Sequence, residues 1–309
     1  MTLRPVFGNM SHASKFLMLL MILAIGALLS TGATFLIAAA IWGKDALSSL
    51  SSGNVDGKLN LLRIAQIISQ MGIFILPVLF FAWLTESKPL RSLGFVKPLP
   101  QQFIIALLII PVAGPMINEL VQWNEAFRLP QSLHGLEEWM KASEESANRL
   151  TEDFLKAPGW NTLWINVLMI GILPAIGEEL LFRSVLIGLL RKYFRGSHWP
   201  VIISSLIFSA IHLQFYGFIP RFVLGMVLGY LYVWSGSVWL PMLAHLVNNV
   251  STVIISFLYY NHYISSSVET IGESPGWPWV MLSVMLTLGS LMMLRKLGSG
   301  RLAGYWRNP

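Results

Sequence analysis

What most constrains this chain is a succession of long apolar runs that carry few or no charges. They fall at about 16–42, 64–84, 103–123, 161–190, 199–218, 221–239, 241–260 and 277–294. A helix of about 20 apolar residues crosses a hydrocarbon core of about 30 Å, so eight such runs consume most of a 309-residue chain. The expected fold class is therefore all-α, a multi-pass transmembrane helical bundle of about eight spans. Composition agrees, with 55% hydrophobic and 12% charged residues, about half the charge of an ordinary soluble chain. The lipid bilayer is thus an expected partner. The formal net charge of +6 is no argument for nucleic acid, and none is expected to bind. Cys is absent, which removes disulfides, thiol nucleophiles and thiolate metal sites.

Basic residues set the expected orientation. With a cytoplasmic N-terminus, Arg4, Lys15, Lys88, Arg91, Lys97, Arg191, Lys192, Arg195, Arg295, Lys296, Arg301 and Arg307 lie inside, against the single acid Glu86. The opposite orientation would place that cluster outside, against the bias of Lys and Arg in short loops. Both termini are accordingly expected in the cytoplasm. The first run has no small-residue cleavage site after a short apolar region, so it reads as a retained span. The hydrophilic stretch 124–160 carries Leu136, Trp139, Met140, Leu150, Phe154 and Leu155 among many Glu. It reads as an amphipathic helix lying on the membrane or capping the bundle. The chain divides into 1–159 (three spans and the acidic segment), 160–260 (a core of four spans) and 261–309 (a last span and basic tail).

Ionisable side chains inside the spans need an explanation, because each is costly there unless paired or facing a wet cavity. The fourth run carries Gly177-Glu178-Glu179-Leu180-Leu181-Phe182-Arg183, the fifth Phe208-Ser209-Ala210-Ile211-His212, and the seventh His245-Leu246-Val247-Asn248-Asn249. Glu179 and Arg183 are four apart on one helical face, acid before base, the favourable order for an intrahelical pair. Glu178 is rotated by about 100° and needs a partner from another helix. Glu179–Arg183 is therefore read as the orienting pair and Glu178 as the reactive group. His212 and His245 are the two histidines deep in a run, and Asn249 sits one turn after His245 on the same face. Asn248 points elsewhere and is left out. Such a set activates water, either as general base with histidine help or as ligands of a catalytic Zn²⁺, Glu178, His212 and His245 being the ligands in the second case. Phe208 and the Gly225-xxx-Gly229 pair are read as packing features, the glycines permitting close helix approach.

At these residues the sequence resembles the CAAX protease and bacteriocin-processing (Abi) family of intramembrane endopeptidases. The EExxxR, FxxxH and HxxxN motifs occur in order as Glu178-Glu179…Arg183, Phe208…His212 and His245…Asn249. The resemblance covers about 160–260. It implies a helical bundle with a cavity open to lipid and water, and cleavage of a peptide or protein substrate in a membrane, a bacterial plasma membrane being the expected location. Glu178 would be the catalytic glutamate, His212 its partner in activating water, and His245 with Asn249 the oxyanion-stabilising pair. Both zinc-dependent and metal-independent chemistry are compatible with the family.

Other peptidase chemistries lack their residues. There is no HExxH and no GxSxG, and Asp45, Asp56 and Asp153 all fall in loops. The alternative to an enzyme is a non-catalytic immunity or scaffold protein, or a proton-coupled carrier that uses the same Glu/His group as a relay.

Overall fold

A computed structural model describes residues 5–43, 59–156, 158–266 and 276–305. Arg4 and Arg307 of the charge argument, and the loop residues Asp45 and Asp56, lie outside them. Among the described residues every regular element is helical. The long helices are α1 (His12–Trp42), α2 (Leu59–Thr85), α3 (Pro100–Glu125), α4 (His134–Lys156), α5 (Trp160–Leu190), α6 (His198–Ala210), α7 (Phe218–Ser235), α8 (Trp239–Tyr260) and α9 (Trp277–Tyr305). Seven of them, all but α4 and α6, are long and apolar enough to cross a membrane.

The fifth apolar run is the one that differs from expectation. Instead of filling 199–218 it forms α6, 13 residues long, which at 1.5 Å per residue spans about 20 Å and falls short of a crossing. The chain turns directly after it, with Leu213 at a φ of 53°. Polar side chains secure the turn from within: His212 Nδ1 lies 2.7 Å from the Phe208 carbonyl, and Ser209 Oγ donates to the Phe218 carbonyl at 2.6 Å. The helix thus ends inside the bundle, with His212 just past its last turn.

Helix α5 is the centre of the assembly. Two thirds of its apolar window, 67%, is buried against protein, compared with 17% for α1 and for α3, whose exposed leucines and isoleucines face the lipid. It is also irregular. Wide π turns at Val167–Ile172 and Leu180–Leu186 flank Leu173–Glu179, and α2 has another at Gln70–Ile75. Pro77 and Pro174 each stand two residues after a π turn, where the wider coil relieves the clash of the ring with the carbonyl four residues earlier. In α3, Pro111 and Pro115 are accommodated differently. Ser283 of α9 inserts its hydroxyl into the ladder, accepting from Met116 N–H at 3.3 Å and donating to the Val112 carbonyl at 2.6 Å.

Close approach of α7 to α6 depends on the two glycines. A Cβ at Gly225 would stand 3.0 Å from Ser205 Cβ, and one at Gly229 2.8 Å from Val201 Cγ1. Gly229→Val is expected to destabilise the protein by about 1–3 kcal/mol through overpacking, read as a lowered unfolding temperature in detergent.

The acidic segment forms α4, whose last turn holds Asp153, a residue expected from the sequence to lie in a loop. It is tied to the α6–α7 turn by Tyr216 N–H donating to Glu144 (2.9 Å), Ser143 Oγ donating to the Leu213 carbonyl (3.2 Å) and Gln214 Nε2 donating to Asn148 Oδ1 (3.2 Å). Glu152 pairs with Lys156 at 2.7 Å and accepts from the Tyr260 hydroxyl of α8. Glu137 pairs with Lys141 at 2.6 Å and accepts from Leu129 N–H. Hydrogen bonds from Lys156 and Lys141 hold these two carboxyls below the ordinary glutamate range. A depressed carboxyl stabilises the docked helix above its unfolded pKa and loses that contribution as pH falls through the folded one. Amide protection along α4 should therefore weaken on acidification below about pH 4 while α5 and α8 stay protected, a difference that hydrogen exchange reads.

Candidate active site

A cavity of about 610 Å³ opens between α2, α4, α5, α6, α7 and α8. Glu178, His212, His245 and Asn249 all line it, brought together from the three segments that carry the motifs. Glu179 and Arg183 do not line it. They lie behind the cavity wall, 0% and 1% exposed, with Arg183 Nη1 at 3.0 Å from Glu179 Oε1. The two neighbouring carboxylates therefore diverge as helix rotation requires, one into the cavity and one into the protein.

The arrangement of His245 is set by the inward-facing acid. Its Nδ1 stands 2.8 Å from the same Glu179 Oε1 that contacts Arg183, so Nδ1 carries a proton and donates it to the carboxylate. This fixes the ring and leaves Nε2 facing Glu178 Oε2 at 3.9 Å. That separation is too long for a direct hydrogen bond, and two groups so placed can both reach one water at about 2.8 Å. His212 is fixed in a similar way. Its Nδ1 can only donate to the Phe208 carbonyl, which leaves Nε2 with its lone pair.

Phe208 joins these parts. Its ring, 2% exposed, lies 4.5 Å from the Arg183 guanidinium carbon, 5.1 Å from the His212 ring and 6.1 Å from the His245 ring. A cation on its face and two imidazoles in edge contact make this side chain the spacer that keeps buried charge and both histidines in register. Arg183 Nη2 also donates to the Gly225 carbonyl of α7 at 3.4 Å.

Asn249 is positioned by a proline. Pro174 has no N–H for the Ile170 carbonyl four residues earlier, and Asn249 Nδ2 donates to that carbonyl at 3.0 Å. Its Oδ1 accepts from Asn248 Nδ2 at 3.0 Å. Asn248, read from the sequence as facing away, lines the same cavity. The helical register separates the two Cα positions, and a side-chain hydrogen bond draws the two amides together.

Sequence reasoning passed over two further cavity residues. Arg221 stands in the first turn of α7, and its Nη2 donates to Gln214 Oε1 at 2.7 Å. A charge at the edge of an apolar run was the available signal. Gln70 comes from the π turn of α2, is 7% exposed, and its Oε1 has no hydrogen-bond partner. A buried acceptor of this kind costs free energy until a ligand or water donates to it. Among the described residues no three His, Cys, Asp or Glu side chains are close enough to hold one metal ion.

Residues 160–251 match the family model described as type II CAAX prenyl endopeptidase Rce1-like. The match places the likeness to CAAX proteases in this segment, about 30% of the chain. Its bounds run from the first residue of α5 to two residues beyond Asn249, and so enclose all three motifs. The chain is also similar to the membrane-embedded CAAX protease MroQ of Staphylococcus aureus, 32% identical over 100 residues, which is 30% of this chain and 40% of that one. YpbD of Bacillus subtilis is 31% identical over 86 residues, 26% of this chain and 41% of its own, and YdiL of the same organism is 28% identical over 102 residues, 32% and 40% respectively. The chain thus spans about 40% of the length of the curated relatives it matches. No solved structure matches significantly.

Proposed function

We propose that this protein is an intramembrane endopeptidase in which Glu178 acts as general base on a water in the cavity. The supporting observation is the pairing of a cavity-facing carboxylate with an imidazole whose far nitrogen is pinned by a second, buried carboxylate. Glu178 takes a proton from the water as its oxygen attacks the scissile carbonyl carbon, with His212 Nε2 accepting a hydrogen bond from the same water. The carbonyl oxygen becomes an oxyanion that faces the second amide N–H of Asn249 and His245, which donates from Nε2 in its imidazolium form while Nδ1–H stays on Glu179. The proton held by Glu178 then passes to the amide nitrogen, the C–N bond breaks, and a carboxylate and an amine leave.

The substrate class is a peptide carried in the membrane, prenylated or with its own span. The cavity is bounded by lipid-facing helices on its sides, and α4 covers it with Ala147, Leu150, Thr151 and Phe154. Glu178, His212 and His245 also constitute a zinc ligand set should the rings move closer together, in which case the ion would lower the pKa of the bound water. The test uses purified full-length protein in lipid vesicles with two probes, a farnesylated C-terminal peptide and a single-span peptide. Fragments are expected from at least one probe, and they should persist after treatment with a zinc chelator. Loss of cleavage on chelation, restored by zinc, would transfer the activation of water from Glu178 to the metal. Intact probes with normal biological complementation by a Glu178→Ala/His212→Ala variant would replace the enzyme with a scaffold.

A further inference from the structure

A second cavity, of about 300 Å³, lies beyond Glu178 toward the C-terminal end of α5, where α1 begins and α2 and α5 end. Its walls carry Lys15, Arg191 and Lys192 against one acid, Glu86, with the Phe81, Leu93 and Leu189 side chains below. We infer that this pocket binds the phosphate of an anionic phospholipid headgroup. Nothing in the proposed peptidase chemistry uses it.

Three features carry the inference. The Lys15 side chain is only 12% exposed and forms a loose ion pair with Glu86 at 3.7 Å, so one carboxylate faces the three cations of the pocket. The pocket also sits where three helices pass from apolar to charged sequence, at the start of α1 and the ends of α2 and α5, with Lys88, Arg91 and Arg195 following those ends in the chain. A phosphate held there leaves its acyl chains to run down the lipid-facing side of α1, where Leu17, Leu20 and Met21 are exposed. Finally, the volume suits a phosphate with its glycerol, and the lining joins the polar side chains of Ser92 and Ser184 to the apolar ones of Phe81, Leu93 and Leu189, as a headgroup with its glycerol requires. Basic pockets between transmembrane helices are the chemistry that anionic headgroups select.

Glu86 gives the proposal an internal control, because its charge opposes an incoming phosphate. Full-length protein, purified in mild detergent and freed of lipid, is titrated with phosphatidylglycerol, phosphatidylcholine or inorganic phosphate, and bound ligand is counted by native mass spectrometry. Phosphatidylglycerol should bind more tightly than either of the others. Lys15→Gln with Lys192→Gln should weaken it by about twenty-five-fold, about five-fold per charge removed, and Glu86→Gln should tighten it. A variant that merely loosens the fold would not gain affinity, so the opposite sign at Glu86 separates binding from damage. Equal binding of phosphatidylcholine, or wild-type affinity in the double variant, would overturn the site. Inorganic phosphate binding as tightly as the lipid would overturn the assignment to a lipid. Peptidase activity is not read in this experiment, so its outcome and that of the proposed function are independent.

Discussion

Glu178→Gln is expected to lower peptide cleavage by about a thousand-fold while leaving the unfolding temperature close to that of the wild type. The substitution keeps the side chain's volume and its place on the cavity wall and removes only the ability to accept a proton. Glu178 stands 3.9 Å from His245 Nε2, too far for a direct hydrogen bond, so little structure depends on that contact. Cleavage rates and thermal unfolding measured on the same preparation test both halves. Retained cleavage would show that another group activates the water.

Its neighbour should behave in the opposite way. Glu179→Ala removes the anion shared by Arg183 Nη1 and His245 Nδ1 in a site that water does not reach. Breaking a buried pair by deleting one partner costs about 3–5 kcal/mol, because the cation left behind is neither solvated nor paired. A large fall in unfolding temperature is expected, with loss of activity. Replacing both partners with apolar residues, Glu179→Leu with Arg183→Met, should restore most of the stability, since no charge is then left buried. Activity should stay lost, because His245 no longer has an acceptor at Nδ1. If the double variant cleaved normally, the orienting role of Glu179 would be wrong.

The candidate site residues were legible because ionisable side chains stand out in apolar runs. Glu178, Glu179, Arg183, His212 and His245 interrupt stretches that otherwise carry no charge, and helix periodicity alone separates Glu178 from Glu179. What periodicity could not give was the contact between Glu179 and His245, 66 residues apart and on different helices. The same limit explains Asn248: register places its backbone, whereas a hydrogen bond to Asn249 decides where its amide goes. The end of α6 was hidden because Ile211, Leu213, Phe215 and Phe218 continue the apolar run through the turn. Hydropathy counts those residues without sensing that His212 and Ser209 satisfy backbone carbonyls and stop the helix. The π turns were only half visible. Pro77 and Pro174 mark where a helix must deform, but the form of the deformation depends on the neighbouring helix, a π turn in α5 and an inserted serine in α3.

The most direct measurement is mass analysis of the products formed when wild-type protein and the Glu178→Ala/His212→Ala variant meet the same membrane-held peptide in water enriched in ¹⁸O. Hydrolysis by activated water predicts two fragments from the wild type, one heavy oxygen in the newly formed carboxyl group, and neither fragment from the variant. Equal amounts of labelled fragments from both proteins, or peptide moved intact across the vesicle with a pH-dependent flux, would contradict it.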